Sequence, residues 1–270
     1  MKTIVCLLVL AGSLGSSRGA VADTNSDRPI PPLDVITARA VEAAQAGEAN
    51  DQAYRRNYYY TWNRVTWFRN GDGELKKTEQ KQGTNDPARK KNRPAKSQPA
   101  AATQAARPDS SRTHGHAVDK KELMNPELLD RFTFEVQGRE LLNGRSAIVI
   151  DFKPKPGKLP ENGLRDKFVN RAAGRIWLDE EEFQLVKADM HLTSPVDVLG
   201  GIVGTVWKFN CTINRERTAD GLWFMRSTSW HLDCREVVFH RIIDFREQTS
   251  GQRKIETKPA GADPEETPQG

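Results

Sequence analysis

Four stretches decide how this chain folds: FQLVKADMHLT (183–193), VGTVWKFNCTINRER (203–217), LWFMRSTSWHLD (222–233) and VVFHRIIDFRE (237–247). In the first, Val186, Ala188, Met190 and Leu192 alternate with Lys187, Asp189, His191 and Thr193, and successive side chains of a strand point to opposite faces. The second repeats the pattern with Val203, Thr205, Trp207, Phe209, Cys211 and Ile213, and the third with Leu222, Phe224, Trp230 and Leu232. Strands with one apolar and one polar face predict an antiparallel sheet that is wet on one side. From Val237 the apolar positions move from even to odd numbers (Val237, Phe239, Ile243, Phe245), and a one-residue slip reverses every face. A turn or bulge is therefore expected near Asp233 to Glu236.

Working outward, strands are predicted at Phe132–Arg139, Arg145–Lys153 and Gly174–Asp179, with Asn143-Gly144 as the turn between the first two. Asn125-Pro126-Glu127 begins a short helix through Asp130, and a brief helix from Leu164 to Arg171 closes a Pro/Gly-broken loop. Near the other end, Leu33, Ile36, Ala40, Val41 and Ala44 recur at helical spacing through Gln45, and Gly47 ends or interrupts that helix. The aromatic segment Asn57–Phe68, the Asn70-Gly71-Asp72-Gly73 turn and Glu74–Lys81 read as a β-hairpin.

The ends of the chain have a different character. Lys2, the apolar run Thr3–Leu14 and the small-x-small Ala20-Val21-Ala22 read as a secretory signal over residues 1–22, too short to span a bilayer. Residues 23–32 and 248–270 are read as a disordered lead-in and tail around a single domain, 33–247. That domain is interrupted by a basic insertion, 83–116, which holds seven Lys or Arg against two acids and lacks large apolar residues.

Charge then has to be read by region. The 270-residue chain carries a formal +5, with a mean hydropathy of -0.68 and a pI near 9.1. The insertion alone accounts for +5, and removal of Lys2 and Arg18 with the signal takes the chain to +3, so the rest of the mature chain stands at −2. An acidic folded part on an exported chain argues against nucleic acid as a partner. The arm Arg89, Lys90, Lys91 and Arg93 is either a solvated spacer or a contact for an anionic envelope surface.

Motifs for chemistry are scarce. No G-x-S-x-G, P-loop, G-x-G-x-x-G or H-E-x-x-H occurs, and neither a metal site nor a cofactor is expected. His114 and His116 fall in the insertion, whereas His191, His231 and His240 fall on strands without a nucleophile motif beside them. A hydrolase using His191 or His231 therefore ranks low. Asp179-Glu180-Glu181-Glu182 reads as an acidic turn rather than a calcium loop. Cys211 and Cys234 remain after the signal is removed, and an oxidising compartment favours pairing them. If Asp220-Gly221 is a two-residue turn, Cys211 lies opposite Trp230, roughly 13 Å along the strand from Cys234, and register opposes the pairing.

The phrases Phe134-Glu135-Val136-Gln137-Gly138-Arg139-Glu140, Asn143-Gly144-Arg145, Val149-Ile150-Asp151-Phe152-Lys153-Pro154-Lys155, Gly174-Arg175-Ile176-Trp177-Leu178-Asp179 and Asp220-Gly221-Leu222-Trp223 carry a likeness. In that order, after a helix and an aromatic hairpin, the chain resembles the periplasmic lipoprotein-sorting superfamily typified by LolA. The resemblance implies an α+β, mainly β fold: an incomplete antiparallel β-barrel, or half-barrel, covered by a few helices. It also implies a non-enzymatic protein of the bacterial cell envelope, periplasmic or secreted, that binds a lipid or the acyl chains of a lipoprotein. Met190, Leu192, Trp207, Phe209, Phe224 and Trp230 are the expected cavity residues, an ordinary filled core being the competing reading for each. The alternative function is an envelope interaction or sensor module with a filled core and no ligand.

Overall fold

The computed structural model describes residues 28–91 and 126–255. The segment read as a signal, most of the stretch read as a basic insertion and the last fifteen residues lie outside them, as do His114 and His116. Helices α1 (Leu33–Gln45) and α2 (Gly47–Asn57) lead into the hairpin β1 (Tyr58–Asn70) and β2 (Leu75–Asn85), followed by the short helix α3 (Pro87–Lys91). Then come α4 (Pro126–Leu129), β3 (Phe132–Leu142), β4 (Arg145–Pro154), α5 (Leu164–Val169), β5 (Ala172–Asp179) and β6 (Leu185–Leu192). The short β7 (Val196–Val198) precedes the three longest partners, β8 (Gly204–Arg217), β9 (Trp223–Glu236) and β10 (Phe239–Lys254). All belong to one ten-stranded antiparallel sheet in the order β2-β1-β10-β9-β8-β6-β5-β4-β3, with β7 beside β8. Its edges β2 and β3 do not pair, so the fold is an open half-barrel with helices on one face.

The helix is interrupted at Gly47, one of the two expected outcomes: α1 stops at Gln45 and α2 follows from Gly47, held by Asn50, whose side chain both donates to Trp223 O (2.6 Å) and accepts from Trp223 N (2.9 Å). Three boundaries differ from the expectations, each for a local reason. Strand β2 runs on to Asn85, and Asp86 Oδ1 accepts the backbone N–H groups of Ala88 and Arg89 at the start of α3. Gly83 to Lys91 thus belongs to the fold rather than to a disordered insertion. Residues 248–254, read as tail, complete β10 against Tyr58–Asn63; Arg253 lies 4.3 Å from the Tyr59 ring and Thr249 is buried opposite Trp62. The face reversal is made just beyond Glu236, where Val237 and Val238 form a two-residue turn with Val237 at φ 56°.

One buried cluster lies under the first turns of α1. Ile36 and Ala40 lie against Ile148, Ile150, Leu178 and Phe183, and Ile36 and Ile148 are fully buried. The opposite face of the same strands buries Ala147, Val149, Trp177, Val186 and Trp223, with the indole N–H groups donating to Glu140 (2.8 Å) and Glu182 (2.6 Å). Burial of an Ile or Leu side chain stabilises by roughly 1.5–3 kcal/mol, so this two-sided region anchors the domain. The acidic turn after β5 joins in: Arg145 takes Asp179 and Arg139 takes Glu180, each through Nε and Nη2.

Candidate functional site

Small residues on α1 create the site. Ala40, Ala43 and Ala44 of α1, with Gly47 at the start of α2, line it together with Ile176 and Ala188 of the sheet. Small against small leaves a cavity of about 150 Å³ between helix and sheet, closed at one side by Leu128 and Leu129 of α4. A Cβ at Gly174, in register with Phe152 and Met190, would meet the Asp189 carbonyl oxygen at 2.0 Å, so the strands approach too closely there for any side chain. The cavity volume is roughly benzene-sized.

A row of residues in register links this cavity to the rest of the face. Phe134, Phe152, Gly174, Met190, Cys211, Trp230 and Phe245 oppose one another across six neighbouring strand pairings. Phe134, Phe152 and Met190 line the cavity, whereas Trp230 and Phe245 stack at 5.0 Å and are only half-buried. The next positions along β8, β9 and β10 add Phe209, Leu232 and Ile243 to the same face. Beyond the pair the surface becomes charged, where Arg64 lies 5.5 Å from the Phe245 ring and donates to Glu247.

Of the six expected cavity residues, Met190 lines the cavity. Leu192, Phe209 and Trp230 share its face, with the Phe209 and Trp230 rings 6.4 Å apart. Phe224 is buried, but by the ring of Tyr54 of α2 stacked 5.0 Å away, which makes it part of the helix anchor. Trp207 is misplaced: the register shifts between Val206 and Lys208, and its ring meets His240 edge-on at 4.8 Å on the opposite face. A bulge breaks strict alternation, which is why the period-two pattern put Trp207 inside.

Two polar side chains line the cavity, Gln184 and Arg215, and neither was expected. Gln184 Nε2 donates to Ala43 O (3.0 Å), and its Oε1 accepts from Arg215 Nη1 (3.1 Å), which also donates to Leu185 O (3.3 Å). Arg215 is 3% exposed, and its Nε and Nη2 have no hydrogen-bond partner. Burial pulls its guanidinium pKa down, with Asp51 opposing through space. The missed signal was one of parity: Arg215 follows Cys211 and Ile213 at the odd, inward positions of its strand, where an apolar residue belongs.

Two of the three strand histidines have carboxylate partners. His231 Nδ1 lies 2.8 Å from Asp244 and His240 Nε2 lies 2.7 Å from Asp233, while His191 is exposed. Burial, then Asp189, pushes the Cys211 thiol up to about 11, and Cys211 and Cys234 are both free, on paired strands but not bridged. No group of three His, Cys, Asp or Glu is placed to hold a metal among the described residues, and no described helix is long and apolar enough to cross a membrane.

No family model and no curated protein matches the chain. Among solved structures it is similar to a DUF1329-family protein from Desulfovibrio piger, at 13% identity and TM-score 0.30 over 83% of this chain and 93% of that one. A domain from Vibrio parahaemolyticus, provisionally described as an outer membrane lipoprotein-sorting protein, aligns at 14% identity and TM-score 0.32 over 84% and 95%. A LolA-superfamily protein from Nitrosomonas europaea aligns at 10% identity and TM-score 0.28 over 84% and 94%. Scores this low leave the functional reading to the site itself.

Proposed function

We propose that the chain is an exported, non-enzymatic binder of a hydrophobic ligand, a lipid or the acyl chains of a lipoprotein, acting in transport within the cell envelope. The observation that supports it most is the apolar cavity under α1, continued by the Met190–Cys211–Trp230–Phe245 row across the open part of the sheet. A cavity of about 150 Å³ is too small for a whole acyl chain. The row supplies the remaining apolar surface, and each methylene buried contributes about 0.8 kcal/mol. An envelope location is consistent with the signal-like N-terminus, and Arg89, Lys90, Lys91 and Arg93 are proposed to hold the carrier near anionic membrane surfaces.

Solvent extraction of protein purified from an envelope fraction, followed by mass spectrometry, is expected to yield acyl-bearing lipid. An uncharged, environment-sensitive acyl probe should bind the stripped protein, and Ala188→Phe, which fills the cavity, should abolish uptake. Protein that is empty on extraction and takes up no probe overturns the proposal.

A further inference from the structure

The guanidinium of Arg215 stands apart from three others in the same molecule. Arg139, Arg145 and Arg175 each present the Nε/Nη2 edge to a carboxylate, Glu180, Asp179 and Asp151 respectively, with two hydrogen bonds of 2.5 to 2.9 Å in each pair, and Arg145 Nη2 donates to Glu181 as well. That fork matches a planar carboxylate and is the preferred geometry for recognising one. In Arg215 the same edge has no hydrogen-bond partner, while Nη1 is fixed by Gln184 Oε1 and Leu185 O. A buried charge with two unmet donors is costly, and a fold keeps such a group where something else meets it. Its surroundings define that something: Arg215 lines a cavity whose other residues are apolar except Gln184, and the acid that opposes its desolvation, Asp51, acts through space.

We infer that Arg215 is the head-group anchor of the cavity and that the ligand is a free long-chain carboxylic acid, its carboxylate on Nε and Nη2 and its chain laid along the apolar row. The inference rests on the acyl-binding reading above and narrows it to one head group. Gln184 acts as a positioning residue, tying the guanidinium to the Ala43 carbonyl of α1, so that a shift of the helix moves the anchor.

The test compares hexadecanoate, hexadecanol and hexadecyl phosphate as displacers of a bound apolar probe, using wild-type protein and the variants Arg215→Met and Arg215→Gln. Wild type should bind the acid at least about tenfold more tightly than the alcohol, a difference of about 1.4 kcal/mol. Both variants should lose that preference while keeping affinity for the alcohol. In the absence of ligand Arg215→Met should melt no lower than wild type, since an apolar side chain of similar length removes a buried charge with two unmet donors, which offsets the loss of its bonds to Gln184 and Leu185 and of its place 5.9 Å from the Trp223 ring. Equal affinity of wild type for acid and alcohol, or tighter binding of the phosphate, overturns the carboxylate assignment; so does a uniform loss of all three ligands in a folded variant, which makes Arg215 structural. If none of the three displaces the probe but the probe itself binds, the anchor fails and the acyl-binding reading survives; if the probe does not bind either, both fail.

Discussion

The two halves of the sheet are built from similar strands yet finished differently. Strands β4–β6 are covered on both faces, hold the fully buried Ile148 and Leu178, and are tied at one end by the Arg139 and Arg145 ion pairs. Strands β8–β10 are longer, but beyond Cys211 their inner-face residues Phe209, Trp230, Leu232, Ile243 and Phe245 are only half-buried. Half-buried aromatic and aliphatic side chains in one continuous patch point to binding, because a monomer gains little by leaving them wet. The covered half supplies stability; the open half supplies surface.

The largest expected effect breaks this contrast if it is wrong. Ile148→Ala, in the covered half, should cost about 4 kcal/mol, since nothing around a fully buried Ile can collapse into the space. Leu232→Ala, in the open half, should cost only about 1 kcal/mol, because water already reaches the site. Denaturant titration of both variants measures the difference, and equal losses would show that the open face is packed in solution.

Next in size is the ion pair that finishes the covered half. Glu180 is buried, and its carboxyl pKa is held below the usual range, first by the hydrogen bond from Arg139 and also by Ser146, against the opposing effect of burial. A depressed folded-state pKa adds stability above the unfolded value near 4.3, and that stability is lost as the pH falls through the lower folded value. Glu180→Gln should therefore cost about 3 kcal/mol at neutral pH, leaving Arg139 short of its charge partner, and flatten the fall in stability below about pH 4. Thermal melts from pH 7 to 2 test the sign.

A smaller effect sharpens the division of labour. Trp230→Leu should weaken binding of a long acyl probe about tenfold by removing the surface stacked on Phe245, yet leave a short probe that fits the cavity alone unaffected. Equal weakening of both would place the whole ligand outside the cavity.

How much of this could be read beforehand follows from the kind of signal each residue gives. Met190, Leu192, Phe209 and Trp230 were legible as one face because period two survives wherever the ladder is regular. Trp207 was not, because a one-residue bulge leaves no mark in composition. Helix α2 is polar and lacks an apolar stripe, and its place depends on Asn50 gripping Trp223, a pairing 173 residues apart. Residues 248–254 looked like tail for a related reason: their partners are the aromatic residues of β1, and pairing supplies what their own sequence lacks. The cavity itself comes from small residues on α1 set against Ala188 of the sheet, visible only once both are opposed. Arg215 was the exception, a charge at an inward position that alternation alone marks as misplaced.

The smallest prediction lies at the tip of the open half. Val237 is β-branched and sits at φ 56°, the first central position of the two-residue turn between β9 and β10, whereas Val238 has no positive φ. A positive φ costs an L-residue roughly 1–2 kcal/mol, and glycine is favoured at the first position of such a turn. Val237→Gly removes that strain and adds some unfolded-state entropy, for a net gain of about 0.5 kcal/mol, while the Val237 N–H can still donate to Val203 O. Val238→Gly relieves nothing and should lose about 0.5 kcal/mol. Opposite signs at adjacent positions of one hairpin, read from paired urea titrations, would locate the strain in the turn; matching signs would remove it. Because the turn lies away from the Arg215 cavity, neither variant should change acyl-probe affinity.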